Sequence, residues 1–194
     1  MAATGLRQRS RERRRSAIQE SALRLFAAQG YDATTIADIA HDADVSPRTV
    51  SLYFPSKMDM ATSYMDEAFS RLRDSLDSAD FATAPALEVI SAWLRAEMTE
   101  HTLLFGLQRD VGQANGQLRS LETPITAEAT EKLMQRLVGD LGRDAPDSAV
   151  EIVGAAIGGV MTYLSQLDTD EPASDDTFDE AIKILRVLVD SCRR

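Results

Sequence analysis

Apolar side chains recur along this chain at the spacing of helix faces, and strand signals are nearly absent. From about Ser10 to Gln29, Ile18, Ala22, Leu25 and Phe26 fall on one side of a helix, and Gly30 follows as a left-handed stop. Ile36, Ile39, Ala40 and Ala43 mark a short second helix capped by Thr34 or Thr35. After a tight turn at Asp44–Val45, Ser46–Pro47 reads as an N-cap followed by proline at the first helical position. Val50 and Phe54 form the buried pair of a brief third helix that Pro55 halts. Ser56 caps a fourth helix running to about Ser78.

Amphipathic stretches continue beyond Asp80: residues 85–99 with Leu87, Ile90, Trp93, Leu94 and Met98, then residues 103–111 with Leu103, Leu104, Leu107 and Val111. Thr123–Pro124 restarts or kinks a segment ending at Gly139, and Asp144 or Ala145 precedes Pro146 at the head of a helix to about Leu167. After a polar loop over 168–176, the last helix carries Phe178, Ala181, Ile182, Leu185, Leu188, Val189 and Cys192. The pattern predicts an all-α fold, a three-helix head (1–57) joined to a helical body (58–194).

The two C-terminal helices have more apolar surface than one core face needs. Val150, Val153, Ile157, Met161 and Leu164 form one stripe, yet Ile152, Ala156, Val160 and Tyr163 occupy much of the remaining surface. Gly154, Gly158 and Gly159 permit close approach, and Ile184 and Val187 flank the main stripe of the last helix. A helix apolar nearly all round lies at the centre of its own subunit or packs against a second copy.

Charge changes the picture. The chain of 194 residues has a formal net charge of −10, but residues 1–57 hold 9 basic and 6 acidic side chains and the remainder 12 and 25. A cationic head thus sits on an anionic body, and Arg7, Arg9, Arg11, Arg13, Arg14 and Arg15 crowd its start with one acid, Glu12. A single cysteine excludes an internal disulfide framework, and no Cys/His spacing suits zinc. The longest uncharged stretch, sixteen residues between Glu151 and Asp168, is short and polar for a bilayer span. With no signal-peptide core at the N-terminus, no membrane partner and a cytoplasmic location are expected.

Two short helices around a tight turn, behind a longer helix, form a helix-turn-helix. The second is narrow enough for the major groove, where its N-terminal residues meet base edges. The first directs its positive dipole end at a phosphate, with the Thr35 hydroxyl beside free backbone N–H groups. A generic helical hairpin gives the same pattern; confinement of positive charge to this head favours DNA.

The runs Leu25-Phe26-Ala27-Ala28-Gln29-Gly30-Tyr31-Asp32-Ala33-Thr34-Thr35-Ile36-Ala37-Asp38-Ile39-Ala40, Val45-Ser46-Pro47-Arg48-Thr49 and Tyr53-Phe54-Pro55-Ser56-Lys57 closely resemble the DNA-binding head of the tetracycline-repressor (TetR) family. The resemblance covers about residues 12–60. It implies a homodimeric repressor, paired through the last two helices of each subunit, that binds a palindromic double-stranded operator and is released by a small-molecule effector held in a pocket of its body. Carried over by position, Thr35 and Ala37 start the helix before the turn, Ser46 caps the next, and Pro47 and Arg48 read bases. Thr49, Ser51, Tyr53 and Lys57 are placed at phosphates. Ser51 departs from a frequent tyrosine, Leu52 stands where polar or aromatic side chains are common, and Asp44 replaces the usual turn glycine, a position aspartate tolerates.

The arginine arm is either a solvated tail or an extension into the adjacent minor groove or along phosphates, and electrostatic contact without base specificity is expected. Trp93, Glu97, Met98, Phe105, Met134, Met161 and Tyr163 are candidates for an effector cavity, although ordinary packing is the commoner role of each. The fourth helix would act as lever between cavity and head in a population shift, with DNA and effector weakening each other's binding. His41 and His101 have no metal partner in the sequence, no cofactor is called for, and no nucleophile or phosphate loop suggests an enzyme. An activator or ligand-independent regulator fits the same pattern. A helical small-molecule carrier without regulatory role would leave the cationic head unexplained.

Overall fold

A computed structural model describes residues 2–78, 83–119, 121–166 and 175–193. Among these residues ten helices follow in chain order: α1 (Ala2–Gln29), α2 (Ile36–Asp42), α3 (Pro47–Tyr53), α4 (Lys57–Asp77), α5 (Ala86–Glu100), α6 (Thr102–Ala114), α7 (Gly116–Arg119), α8 (Pro124–Asp140), α9 (Ser148–Gln166) and α10 (Asp175–Cys192). Among the described residues there is no strand, and the fold is all-α as the periodicity predicts. Three details differ. α1 begins well before Ser10, and the single turn α7 has no apolar period to announce it. α9 starts after Asp147 rather than at Pro146, because the Asp147 carboxylate accepts from the amides of Ala149 and Val150 and so makes the cap. Most of the polar loop expected at 168–176 lies outside the described residues.

The chain divides into two compact units, residues 1–66 with 103–121, and residues 67–102 with 122–194. The division falls within α4, beyond the 57/58 boundary that the charge shift suggests.

In the first unit Ile18, Leu23 and Phe26 of α1, Ile39 of α2, Val50 of α3 and Met60 and Tyr64 of α4 are buried together with Phe54. A buried polar pair, Gln19 Nε2 donating to Ser63 Oγ at 3.0 Å, fixes the register of α1 against α4. In the second unit α9 packs on α8 and α10, and α5 on both of those helices. Leu94, Leu137, Leu141, Ile157, Leu164 and Leu185 fill that core. A Cβ added at Gly154 would stand 2.5 Å from the Met134 sulfur, so glycine there leaves room for the end of the Met134 side chain between α8 and α9. The Arg136 guanidinium donates to the carbonyls of Leu76 (2.8 Å) and Ala84 (3.1 Å), pinning the end of α4 beside the start of α5.

Candidate nucleic-acid interface

The helix-turn-helix is built by local capping. Thr35 is the N-cap of α2: its hydroxyl accepts from the amide of Asp38 at 3.1 Å, while the Asp38 carboxylate accepts from the amide of Thr35 at 2.8 Å. This reciprocal box is legible in the sequence as a threonine with an acid three residues on. Asp44 takes φ of 51°, the left-handed geometry the turn requires. Ser46 Oγ accepts from the amide of Thr49 at 3.1 Å, Pro47 occupies the first turn, and α3 begins.

These caps leave a defined face. On α3 Val50 points inward with no exposure, whereas Pro47, Arg48, Ser51 and Leu52 are exposed, Leu52 at 77%. Thr49 and Tyr53 lie half-buried at its edges, and Thr35 and Ala37 are exposed at the start of α2. The Ser51 hydroxyl donates back to Pro47 O at 3.2 Å, and Thr49 Oγ1 shares a 2.9 Å hydrogen bond with Ser46 Oγ. Lys57 is tied into the head: its ammonium donates to Tyr31 O at 2.6 Å and stands 4.5 Å from the centre of the Tyr31 ring.

Sequence reasoning overlooked two features of the head. Arg15 lies over the Phe54 ring at 4.9 Å, joining the arginine-rich start of α1 to the end of α3. Arg24 bridges Glu20 (3.2 Å) and Asp42 (2.5 Å), tying α1 to the end of α2. Hydrogen bonds from Arg24 and Ser21 hold the Asp42 carboxyl below its ordinary range, and Thr35 does the same for Asp38. A depressed carboxyl stabilises the fold above its unfolded-state value, about pH 4, and loses that contribution as pH falls through its lower folded value. Thermal unfolding below about pH 4 should therefore reveal an acid-sensitive head, and Asp42→Asn should narrow the gap to wild type as the pH is lowered through that window. A constant gap across it would show that the clamp does not titrate.

The residues proposed for an effector are spread over both units. In the second unit, Trp93 Nε1 donates to Ala68 O at 2.9 Å and its ring meets Phe69 edge-on, with centroids 5.5 Å apart. Glu97, 1% exposed, accepts two hydrogen bonds of 2.7 Å from Nε and Nη2 of Arg71. This pair spans 26 positions, and nothing in the sequence marks it. Met98, Met134 and Met161 are half-buried in the same unit, whereas Phe105 belongs to the first. Tyr163 is 55% exposed on α9, on the side that also shows Ile152, and α10 shows Ile184 and Val187. Among the described residues no group of His, Cys, Asp or Glu is placed to hold a metal ion.

Residues 18–63, which span the helix-turn-helix, match the family model described as "Bacterial regulatory proteins, tetR family". Over 198 aligned positions the chain is 31% identical to the transcriptional regulator TcmR of Streptomyces glaucescens, covering 94% of this chain and 87% of that one. The chain belongs to the TetR family. It is a helix-turn-helix, DNA-binding transcriptional regulator.

Solved TetR-family structures share the fold across the body as well. Bacillus subtilis FadR, determined with stearoyl-CoA, superposes with a TM-score of 0.61 at 20% identity, covering 90% of this chain and 97% of FadR. Thermus thermophilus FadR, a repressor determined with lauroyl-CoA, gives 0.52 at 21% identity, with coverages of 90% and 93%.

Proposed function

We propose that this TetR-family regulator is a homodimeric repressor that binds a palindromic operator and is released by a small-molecule inducer. One observation carries the reading. The chain that exposes Arg48 on α3 also leaves open an apolar face over α9 and α10, where Ile152, Tyr163, Ile184 and Val187 are each more than half exposed. A side chain at Gly158 or Gly159 would meet nothing in this copy, so a second backbone can approach there. One recognition helix reads too few bases for a unique site, whereas two related by a dyad read half-sites about 34–36 Å apart. The face therefore serves a second copy, and Tyr163 serves that contact rather than an effector.

In the complex Pro47 and Arg48 face base edges, while Thr35, Ala37, Ser46, Thr49, Ser51 and Tyr53 line the flanking phosphates. Lys57, held by Tyr31, keeps ammonium hydrogens to share with a phosphate and orders the loop as well. The inducer contacts Trp93, Met98, Met134 and Met161, with the Arg71–Glu97 pair as the polar element. The acyl-CoA complexes of the two FadR proteins support an effector for the body without identifying it. Such a regulator acts in the cytoplasm, where operator DNA is.

Footprinting the DNA flanking its own coding region is the direct test: protection over a promoter supports repression, and protection only upstream of the promoter supports activation. Arg48→Ala should then cost about 1–3 kcal/mol per half-site, roughly 5- to 150-fold, and relax preference at a single base position. An equal loss on operator and random DNA would mark Arg48 as a phosphate contact.

A further inference from the structure

α1 carries its helix far beyond the core. Among its described side chains the first that is buried is Ile18, yet the helix begins at Ala2, and residues 7–14 are exposed throughout. At 1.5 Å per residue this extension reaches about 20 Å past Arg15.

Its charges are sorted by face. Arg7, Arg11 and Arg14 follow at steps of four and three, and the next step of four lands on Ile18, so the ridge that becomes core at Ile18 consists of arginine before it. Arg15 flanks the ridge and stacks on Phe54, the C-cap of α3, which places that side of α1 next to the recognition helix. The opposite side is mixed: Arg9, Glu12, Arg13, Ser16 and Glu20 line one shallow surface there, and Glu12 accepts from Gln8 at 2.8 Å. The only acid before Glu20 is thus turned away from the Arg7–Arg11–Arg14 ridge.

We infer that this ridge is a second DNA-contacting surface, a basic helix lying along the phosphates beside the groove that α3 reads. The inference rests on the proposed DNA-bound dimer and extends its footprint. It also narrows the expectation of an arm in the minor groove or along phosphates to the second of these. A helix is about 10–12 Å across with its side chains and the minor groove about 6 Å wide, so a helical arm stays outside and meets the backbone. From Arg7 to Arg14 the ridge runs about 10 Å, the axial length of about three nucleotides of one strand. An apolar ridge would fit a protein partner; three exposed guanidiniums without an acid on their side fit a row of phosphates.

The test is the salt dependence of binding of the full-length protein to a 30-base-pair random duplex, where affinity is electrostatic. Wild type, Arg7→Gln/Arg11→Gln/Arg14→Gln and the opposite-face Arg9→Gln/Arg13→Gln are compared, glutamine keeping helix propensity and circular dichroism confirming helicity. Each lost phosphate contact lowers the slope of log affinity against log salt by about 0.9, so the ridge variant should lose about 2.7 per protomer and the opposite-face variant almost nothing. An unchanged slope in the ridge variant, or the same loss per charge from both faces, overturns the inference. If the ridge instead docks on the acidic body, the slope stays unchanged while the sedimentation of the free protein shifts, which overturns it too. Failure of wild type itself to bind any duplex at low salt would defeat the proposed function as well, so the two failures are told apart.

Discussion

The double substitution Ile184→Asp/Val187→Asp is expected to give a folded monomer that no longer holds a specific operator. Both side chains are exposed in a single copy, at 59% and 65%, so aspartate there removes no packing from the subunit's own core. In a symmetric dimer the same changes bring four carboxylates to one desolvated seam, where each unpaired charge costs several kcal/mol. Sedimentation should show a single subunit with unchanged helicity. Operator affinity should fall by roughly 1,000-fold or more, towards the non-specific level, because one recognition helix cannot supply the specificity of two. A variant that stays dimeric would place the interface elsewhere. A monomer with full operator affinity would remove the need for a dimer altogether.

The second large effect concerns the body. Arg71→Met leaves the Glu97 carboxylate, 1% exposed, without its bidentate guanidinium partner. Removing one member of a buried pair costs about 3–5 kcal/mol, and the 36% exposure of the Arg71 side chain lowers the expectation to about 2–3 kcal/mol. For a chain of this size that is a fall in Tm of about 4–12 °C. The double variant Arg71→Met/Glu97→Leu should recover most of it, because two apolar groups replace the pair without stranding a charge. If the pair is also the polar element of an effector site, the double variant keeps operator binding and loses inducer release. A double variant as unstable as the single one would show that the geometry of α4 and α5, not the charge balance, depends on these residues.

Legibility in the sequence followed the range of the interactions. The helix-turn-helix was readable because its determinants are local. Thr35 and Asp38 are three residues apart, Ser46 and Pro47 adjacent, Asp44 a single left-handed residue, and Val50 and Phe54 one helical turn apart. The apolar excess of α9 and α10 was equally plain, because periodicity reports how many sides of a helix avoid water. α9 starts two residues beyond the proline the pattern points to, since proline and aspartate both open helices and only the hydrogen bonds of Asp147 distinguish them. The arginine arm was readable as charge but not as shape. A basic run gives no apolar period, and α1 is continuous there because it extends a helix already anchored by Ile18, Ala22 and Phe26, so no new nucleus is needed.

By itself, then, the sequence determined the helical fold class, the DNA-reading head and the sorting of charge between head and body. Each is written in residues within a few positions of one another or in composition. Tertiary structure decided that Glu97 is satisfied by Arg71, that Lys57 is held at Tyr31 and that Arg15 stacks on Phe54. It also decided which apolar side chains of α9 and α10 stay exposed in a single copy. Partners 26 or 39 positions apart meet only when helices pack, and packing depends on the joint shape of several faces, which no single stretch of chain encodes.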